Sequence, residues 1–137
     1  MLSSKMLAAL NEQIRNEFAS AYLYLSMSAW LESQNFPGGA HWMKAQYKEE
    51  LTHGEKLFGL VNDRNGRVIL EGIDKPAAEF GTLAETFKAV LAHEQKVTAC
   101  INKVYEVALA EKDYAAQTEL QWFIKEQVEE EKTVQDV

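Results

Sequence analysis

Residues 43–60 read Met-Lys-Ala-Gln-Tyr-Lys-Glu-Glu-Leu-Thr-His-Gly-Glu-Lys-Leu-Phe-Gly-Leu. At alternating three- and four-residue steps they give Met43, Gln46, Glu50, His53, Leu57 and Leu60, which is one face of a helix. That face is apolar at both ends and ionisable in the middle. Pro37 suits a first helical turn and Asn65-Gly66 is a stop signal, so the helix is expected from about Pro37 to Asn65.

Three more segments behave the same way. The first runs from about Ser4 to Gln34, with Ser3 or Ser4 as its cap, and its stripe Leu7, Leu10, Ile14, Glu17, Ala21, Tyr24, Ser28, Leu31 is broken at Glu17. The third starts at Thr82, with Glu85 completing a capping-box pattern, and runs to about Glu111. Its stripe Phe87, Val90, Glu94, Val97, Ile101, Val104, Ala108 is broken at Glu94. The fourth follows Asp113, runs to the end of the chain, and is broken at Gln127 and Glu130. Two links are short, Asn35-Phe36 and Lys112-Asp113, and short links join antiparallel neighbours. The stretch from Gly66 to Gly81 is long and holds a β-rich run, Arg67 to Leu70. In a bundle it can cross from one end to the other, leaving helices two and three parallel. The expected fold is all-α, an up-down-down-up four-helix bundle in one domain over residues 1–137.

The depths of the interruptions agree. Glu17, Glu50, Glu94 and Gln127 each lie twelve to fourteen residues past their helix start, or roughly 18–21 Å along the axis at ~1.5 Å per residue. Glu17, Glu50, His53, Glu94, Gln127 and Glu130 are therefore expected to meet in one layer at mid-height. Four carboxylates there would repel one another and lose hydration, at an effective cost of several kcal/mol per buried ion. No Lys or Arg lies at this level of the stripes. Two divalent cations would balance the four carboxylates. Glu50-x-x-His53 places an oxygen and an imidazole one turn apart, a known pattern of carboxylate-bridged di-iron bundles. Helix four carries Gln127-x-x-Glu130 instead, so its ion is expected to be held by oxygen alone, and more weakly.

Composition bounds the alternatives. The chain has 137 residues, 47% apolar and 26% charged, with a net charge of −7. An acidic chain argues against nucleic-acid or anionic-membrane surfaces. No run approaches the roughly 20 apolar residues of a membrane span. A single cysteine, Cys100, allows no internal disulfide, and reads as a small core or half-buried residue. With no signal-peptide pattern at the N-terminus, a cytoplasmic location is expected. His41 and His93 fall off the stripe or near an end and are expected at the surface. Met43 and Phe87 read as core.

At these residues the sequence resembles the non-haem bacterial ferritins, along essentially its whole length. The resemblance is carried by Leu-Asn-Glu-Gln-Ile (10–14), Met-Ser-Ala-Trp (27–30), Glu-Glu-Leu-Thr-His (49–53), Leu-Gln-Trp-Phe (120–123) and Glu-Gln-Val-Glu-Glu-Glu-Lys (126–132). It implies an iron-storage ferroxidase. Glu17, Glu50 and His53 match the first iron site, with Glu50 bridging, and Glu94, Gln127 and Glu130 match the second. Glu49, Glu126 and Glu129 match a third, transit site that shares Glu130; read as residues alone, they could equally be a solvated acidic face. Tyr24 matches a tyrosine that assists electron transfer, and Trp122 a family tryptophan. The implied partners are Fe(II), dioxygen or hydrogen peroxide, and further copies of the chain in a 24-subunit cage. Family subunits carry a short fifth helix lining channels of that cage, and none is expected within these residues. Haem is not expected, because Leu51 and Thr52 stand where a methionine ligand would be needed. One cysteine cannot build a rubredoxin cluster, and a di-iron oxygenase would usually be larger. The alternatives are a di-iron ferroxidase or peroxide scavenger that forms no cage, and a metal-free structural bundle.

Overall fold

A computed structural model describes residues 1–137. It contains four long helices, α1 (Ser4–Ser33), α2 (Pro37–Asp63), α3 (Leu83–Ala110) and α4 (Tyr114–Gln135). Each start is chemically marked. Ser3, not Ser4, caps α1 by accepting from the Met6 N–H. Pro37 opens α2. Thr82 and Glu85 form the reciprocal capping box of α3, and Asp113 accepts from the Ala116 N–H at α4. The helix ends fall one or two residues short of expectation because α1, α2 and α3 share one terminator. Asn35, Asn65 and Lys112 adopt positive φ. The N–H groups of Phe36, Gly66 and Asp113 then reach back to Leu31, Val61 and Ala108 carbonyls at 2.9 Å. This tight 6→1 closure satisfies orphan carbonyls that would otherwise fray.

Directions follow from the pairings. The first half of α1 (Met6, Leu10, Ile14) packs with the second half of α3 (Ile101, Val104, Ala108). The second half of α1 (Tyr24, Met27, Leu31) packs with Val90 near the start of α3. So α1 opposes both α2 and α3, α2 and α3 run parallel, and α4 opposes α3. This is the expected up-down-down-up order. No helix is long and apolar enough to cross a membrane.

The crossover forms no strand, contrary to the β-rich reading of Arg67 to Leu70. It lies along α1 instead, pinned by α1 side chains. Asn11 donates to the Arg67 carbonyl and accepts from the Ile69 N–H. Arg15 donates to Gly72, Ser26 to Ala77 and Trp30 to Gly81. Those polar bonds stand in for a ladder that would need a partner strand.

The core differs from the predicted stripes at two positions. Thr86, rather than Phe87, points inward on α3; Phe87 is half-buried at the rim, its ring against Trp42 at 5.1 Å. Met6 takes the inner position near the start of α1 and Leu7 the margin. At Gly54, where α1 and α2 approach closely, a methyl group would meet the Phe18 ring at 2.8 Å.

The capping box gives a direct test. Thr82→Ala removes the bond that the Glu85 N–H donates to Thr82 Oγ1, leaves the main-chain N–H of residue 82 to Glu85, and is expected to lower the unfolding free energy by about 1 kcal/mol, read from urea denaturation monitored by circular dichroism.

Candidate metal centre

The apolar core is divided into two clusters, one at each end of the bundle. Between them lies a layer contributed by all four helices: Gln13, Glu17 and Ser20 from α1, Gln46, Glu50 and His53 from α2, Glu94 from α3, Gln127 and Glu130 from α4. None is more than 5% exposed. The six residues expected to share one level are therefore all buried between the two clusters.

Two groups of side chains, one within this layer and one reaching from it to the half-buried Glu49 and Glu126, could hold a metal ion. In one, Glu17, Glu50 and His53 bring ligand atoms within 4.8 Å of one another. His53 Nδ1 stands 3.3 Å from Glu50 Oε2 and 3.9 Å from Glu17 Oε2. In the other, Glu49, His53, Glu126 and Glu130 do the same, with His53 Nε2 3.8 Å from Glu126 Oε1. The imidazole thus stands between the groups, one nitrogen toward each. Its plane is held by the edges of Trp122 and Phe123, at 5.5 and 6.0 Å, and Lys56 sits 3.8 Å over the Trp122 ring.

On the other side of the layer, Glu94 and Gln127 pair directly. Gln127 Nε2 donates to Glu94 Oε2 at 3.1 Å. The fully buried Tyr24 hydroxyl donates to Glu94 Oε1. Glu130 accepts from Gln46 Nε2 at 3.2 Å. Glu17 accepts from Gln13 Nε2 at 3.1 Å, and Gln13 in turn accepts from Asn16. Glu129 is exposed and lies outside both groups, whereas Glu49 and Glu126 are half-buried within one.

What remains unsatisfied defines the chemistry. Five buried side-chain atoms find no partner: Glu17 Oε2, both oxygens of Glu50, His53 Nδ1 and Gln46 Oε1. Buried polar atoms almost always pair, so each exception needs a reason. Four of these five belong to one three-residue group with a hard, oxygen-rich donor set and one imidazole. That set suits iron, zinc or manganese.

The electrostatics agree. Burial pushes Glu50 up to about 8, and the charges of Glu94, Glu130 and Glu49 add to this. Burial and the neighbouring Glu49 push Glu130 up to about 10. Glu17 is raised by burial and by Glu50. Glu94 is raised by burial, against the donors Tyr24 and Gln127. Glu126 is raised by burial and by Glu49. Tyr24 is raised by burial and by the Glu94 charge. The layer without cations holds protons.

His41 is exposed, as expected. His93 is not a plain surface residue. It is half-buried, with Nε2 2.8 Å from Ser20 Oγ and its ring edge-on to Tyr24 at 5.8 Å. Burial, with a smaller contribution from Lys96, lowers its pKa to about 4. Stripe counting missed it because Ser20 is small and opens room between α1 and α3. Gln13 also escaped notice; its position one turn before Glu17 was the available signal. Cys100 is half-buried, and lines a cavity of about 280 Å³ between α1 and α3 with Gln13 and Asn16.

The family described as Ferritin-like domain matches residues 7–137 of this chain. A bacterial non-heme ferritin of Staphylococcus epidermidis is 44% identical over 133 residues, covering 97% of this chain and 80% of the relative. One from Staphylococcus aureus is 39% identical over 131 residues, covering 96% and 79%. Among solved structures, an open-pore ferritin from the hyperthermophilic archaeon Archaeoglobus fulgidus superposes with a TM-score of 0.98 at 43% identity, covering 99% of this chain and 84% of that one. A Chlorobium tepidum ferritin gives 0.95 at 39% identity, covering 99% and 83%.

The raised carboxyls have a testable sign. Glu50 keeps its proton in the folded chain up to about 8, while the unfolded chain releases it near 4.5. The folded state binds more protons in that window, so stability falls as pH rises through it. The metal-free protein is expected to melt at lower temperature at pH 9 than at pH 5 by about several degrees. Glu50→Gln should flatten that slope and stabilise the chain at the alkaline end; scanning calorimetry reads both, and parallel slopes would contradict the account.

Proposed function

Because this chain belongs to the ferritin family, we propose that it is an iron-storage subunit that binds two Fe(II) in the mid-bundle layer and oxidises them. The observation that carries this reading is the set of four unpartnered buried ligand atoms on Glu17, Glu50 and His53. In the proposed assignment Glu17 and His53 hold the first ferrous ion and Glu50 lies between the two. Glu94, Gln127 and Glu130 hold the second through oxygen alone. Glu49 and Glu126, with Glu129 at the rim, form a transit site that shares Glu130.

Charge balance supports the scheme. Two dications set four positive charges against the carboxylates of Glu17, Glu50, Glu94 and Glu130, and binding releases the protons those groups hold. Each ferrous ion gives one electron, and two electrons with two protons take one dioxygen to hydrogen peroxide. Oxygen ligands favour the ferric product. Tyr24, hydrogen-bonded to Glu94, is placed to exchange a proton with that carboxylate. The oxygen-only second site and the half-buried acidic group beside it suit substrate iron that must leave after oxidation. The ferric ions then pass to a mineral store within a homo-oligomer, a 24-subunit cage by likeness to the family, in the cytoplasm; hydrogen peroxide is an alternative oxidant.

Anaerobic titration with Fe(II) is expected to saturate near two ions per chain, and admitting air should then consume dioxygen. Zn(II) should compete for the same ligands and inhibit. Glu50→Ala and His53→Ala should each abolish saturable binding and oxidation. Unchanged turnover in both variants, or a wild-type chain with no saturable Fe(II) binding, would favour a metal-free structural bundle. Light scattering separates a storage cage from a smaller ferroxidase or peroxide scavenger.

A further inference from the structure

We propose that Thr98 is a positioning residue that fixes the Gln127 side-chain amide with its oxygen free to take the second ion. The consequence for metal binding rests on the dinuclear reading above; the geometry does not.

An amide presents oxygen and nitrogen in nearly the same shape but with opposite roles. Only the oxygen offers lone pairs, and the NH2 group is donor only. A glutamine serving as a metal ligand must therefore be prevented from turning over. The hydrogen-bond network decides which atom lies where. Around Gln127 Nε2 stand Glu94 Oε2 at 3.1 Å, Thr98 Oγ1 at 3.2 Å and the Glu94 main-chain oxygen at 3.3 Å. The main-chain oxygen can only accept.

Glu94 Oε2 accepts from the amide when Glu94 is ionised, and Thr98 is the neutral member whose role needs deciding, because a hydroxyl can donate or accept. Its single proton has two acceptors in reach, Glu131 Oε2 at 2.6 Å and the Glu94 main-chain oxygen at 3.0 Å. The shorter contact, to a carboxylate, is the stronger. Whichever oxygen takes the proton, Thr98 turns a lone pair toward Gln127. A flipped amide would then set its oxygen against that lone pair and against a carbonyl. The amide is held with its nitrogen toward Glu94 and Thr98, and no protein group donates to its Oε1. Thr98 touches neither ion in this scheme. It acts through Gln127.

The test compares wild type with Thr98→Val, which keeps the shape and loses the oxygen, and Thr98→Ser, which restores the hydroxyl. Neutron diffraction of the deuterated, metal-free chain distinguishes ND2 from oxygen. Wild type and Thr98→Ser are expected to show ND2 toward residue 98, and Thr98→Val to show both orientations. In anaerobic Zn(II) calorimetry, Thr98→Val should weaken one ion by about 10–100-fold, the usual loss when a residue supporting a ligand is removed. The other ion should be unchanged and Thr98→Ser should match wild type. Oxygen toward Thr98 in the wild type, or a single unchanged orientation in Thr98→Val, overturns the proposal. So does equal affinity for both ions in wild type and Thr98→Val. A wild-type chain that binds no ion would sink the dinuclear reading, while the nuclear maps would still decide the amide.

Discussion

Carboxylates brought together away from water dominate this molecule. An effective penalty of several kcal/mol per buried ion is large beside the roughly 5–15 kcal/mol that stabilises a whole domain. The bundle accepts it at one level only, with an apolar cluster at each end. The penalty is moderated in three ways. Protons stay on Glu50 and Glu130. Amides of Gln13, Gln46 and Gln127 donate to Glu17, Glu130 and Glu94. Cations complete the balance in the proposed scheme, and the unpartnered atoms on Glu17, Glu50 and His53 mark where protein alone does not.

The architecture follows from keeping that layer level. A polar residue at mid-helix meets its counterparts only if the four helices are of similar length and their ends align. The caps at Ser3, Thr82 and Asp113 and the closures at Asn35, Asn65 and Lys112 set those ends. The crossover reaches the far end of the bundle without a ladder of its own, because α1 supplies side chains along its length, in two pairs one turn apart, to hold its main chain. The layer is also asymmetric. Its imidazole lies on α2 alone, flanked by Trp122 and Phe123, while α3 and α4 offer oxygen.

Much of this was legible in the residues, for a physical reason. A charge on an apolar stripe is rare, and four interruptions at one depth have few explanations besides a shared partner. Helix caps read well because they depend on neighbours in sequence. Features that depend on neighbours in space read poorly. His93 lies off the stripe, yet the small side chain of Ser20 on α1 makes room for it. Glu126 and Glu129 look alike in an acidic run, but only Glu126 meets Glu49 and His53 across the bundle. Thr86 and Phe87 exchange inner and marginal places because Trp42 on α2 offers Phe87 a ring to pack on. The β-branched run at Arg67 to Leu70 had strand propensity, but no second strand exists for it to pair with.

The parallel course of α2 and α3 has a consequence for how the chain assembles. Each short link makes a local hairpin, α1 with α2 and α3 with α4, and contacts inside a hairpin close quickly. Glu17, Glu50 and His53 belong to the first hairpin; Glu94, Gln127 and Glu130 belong to the second. Neither half has the whole proposed set of ligands, and the acids of the two halves confront each other only as the hairpins dock. On the proposed assignment, a ferrous ion captured by the first half would draw the second toward it, and the substrate would guide the last folding step.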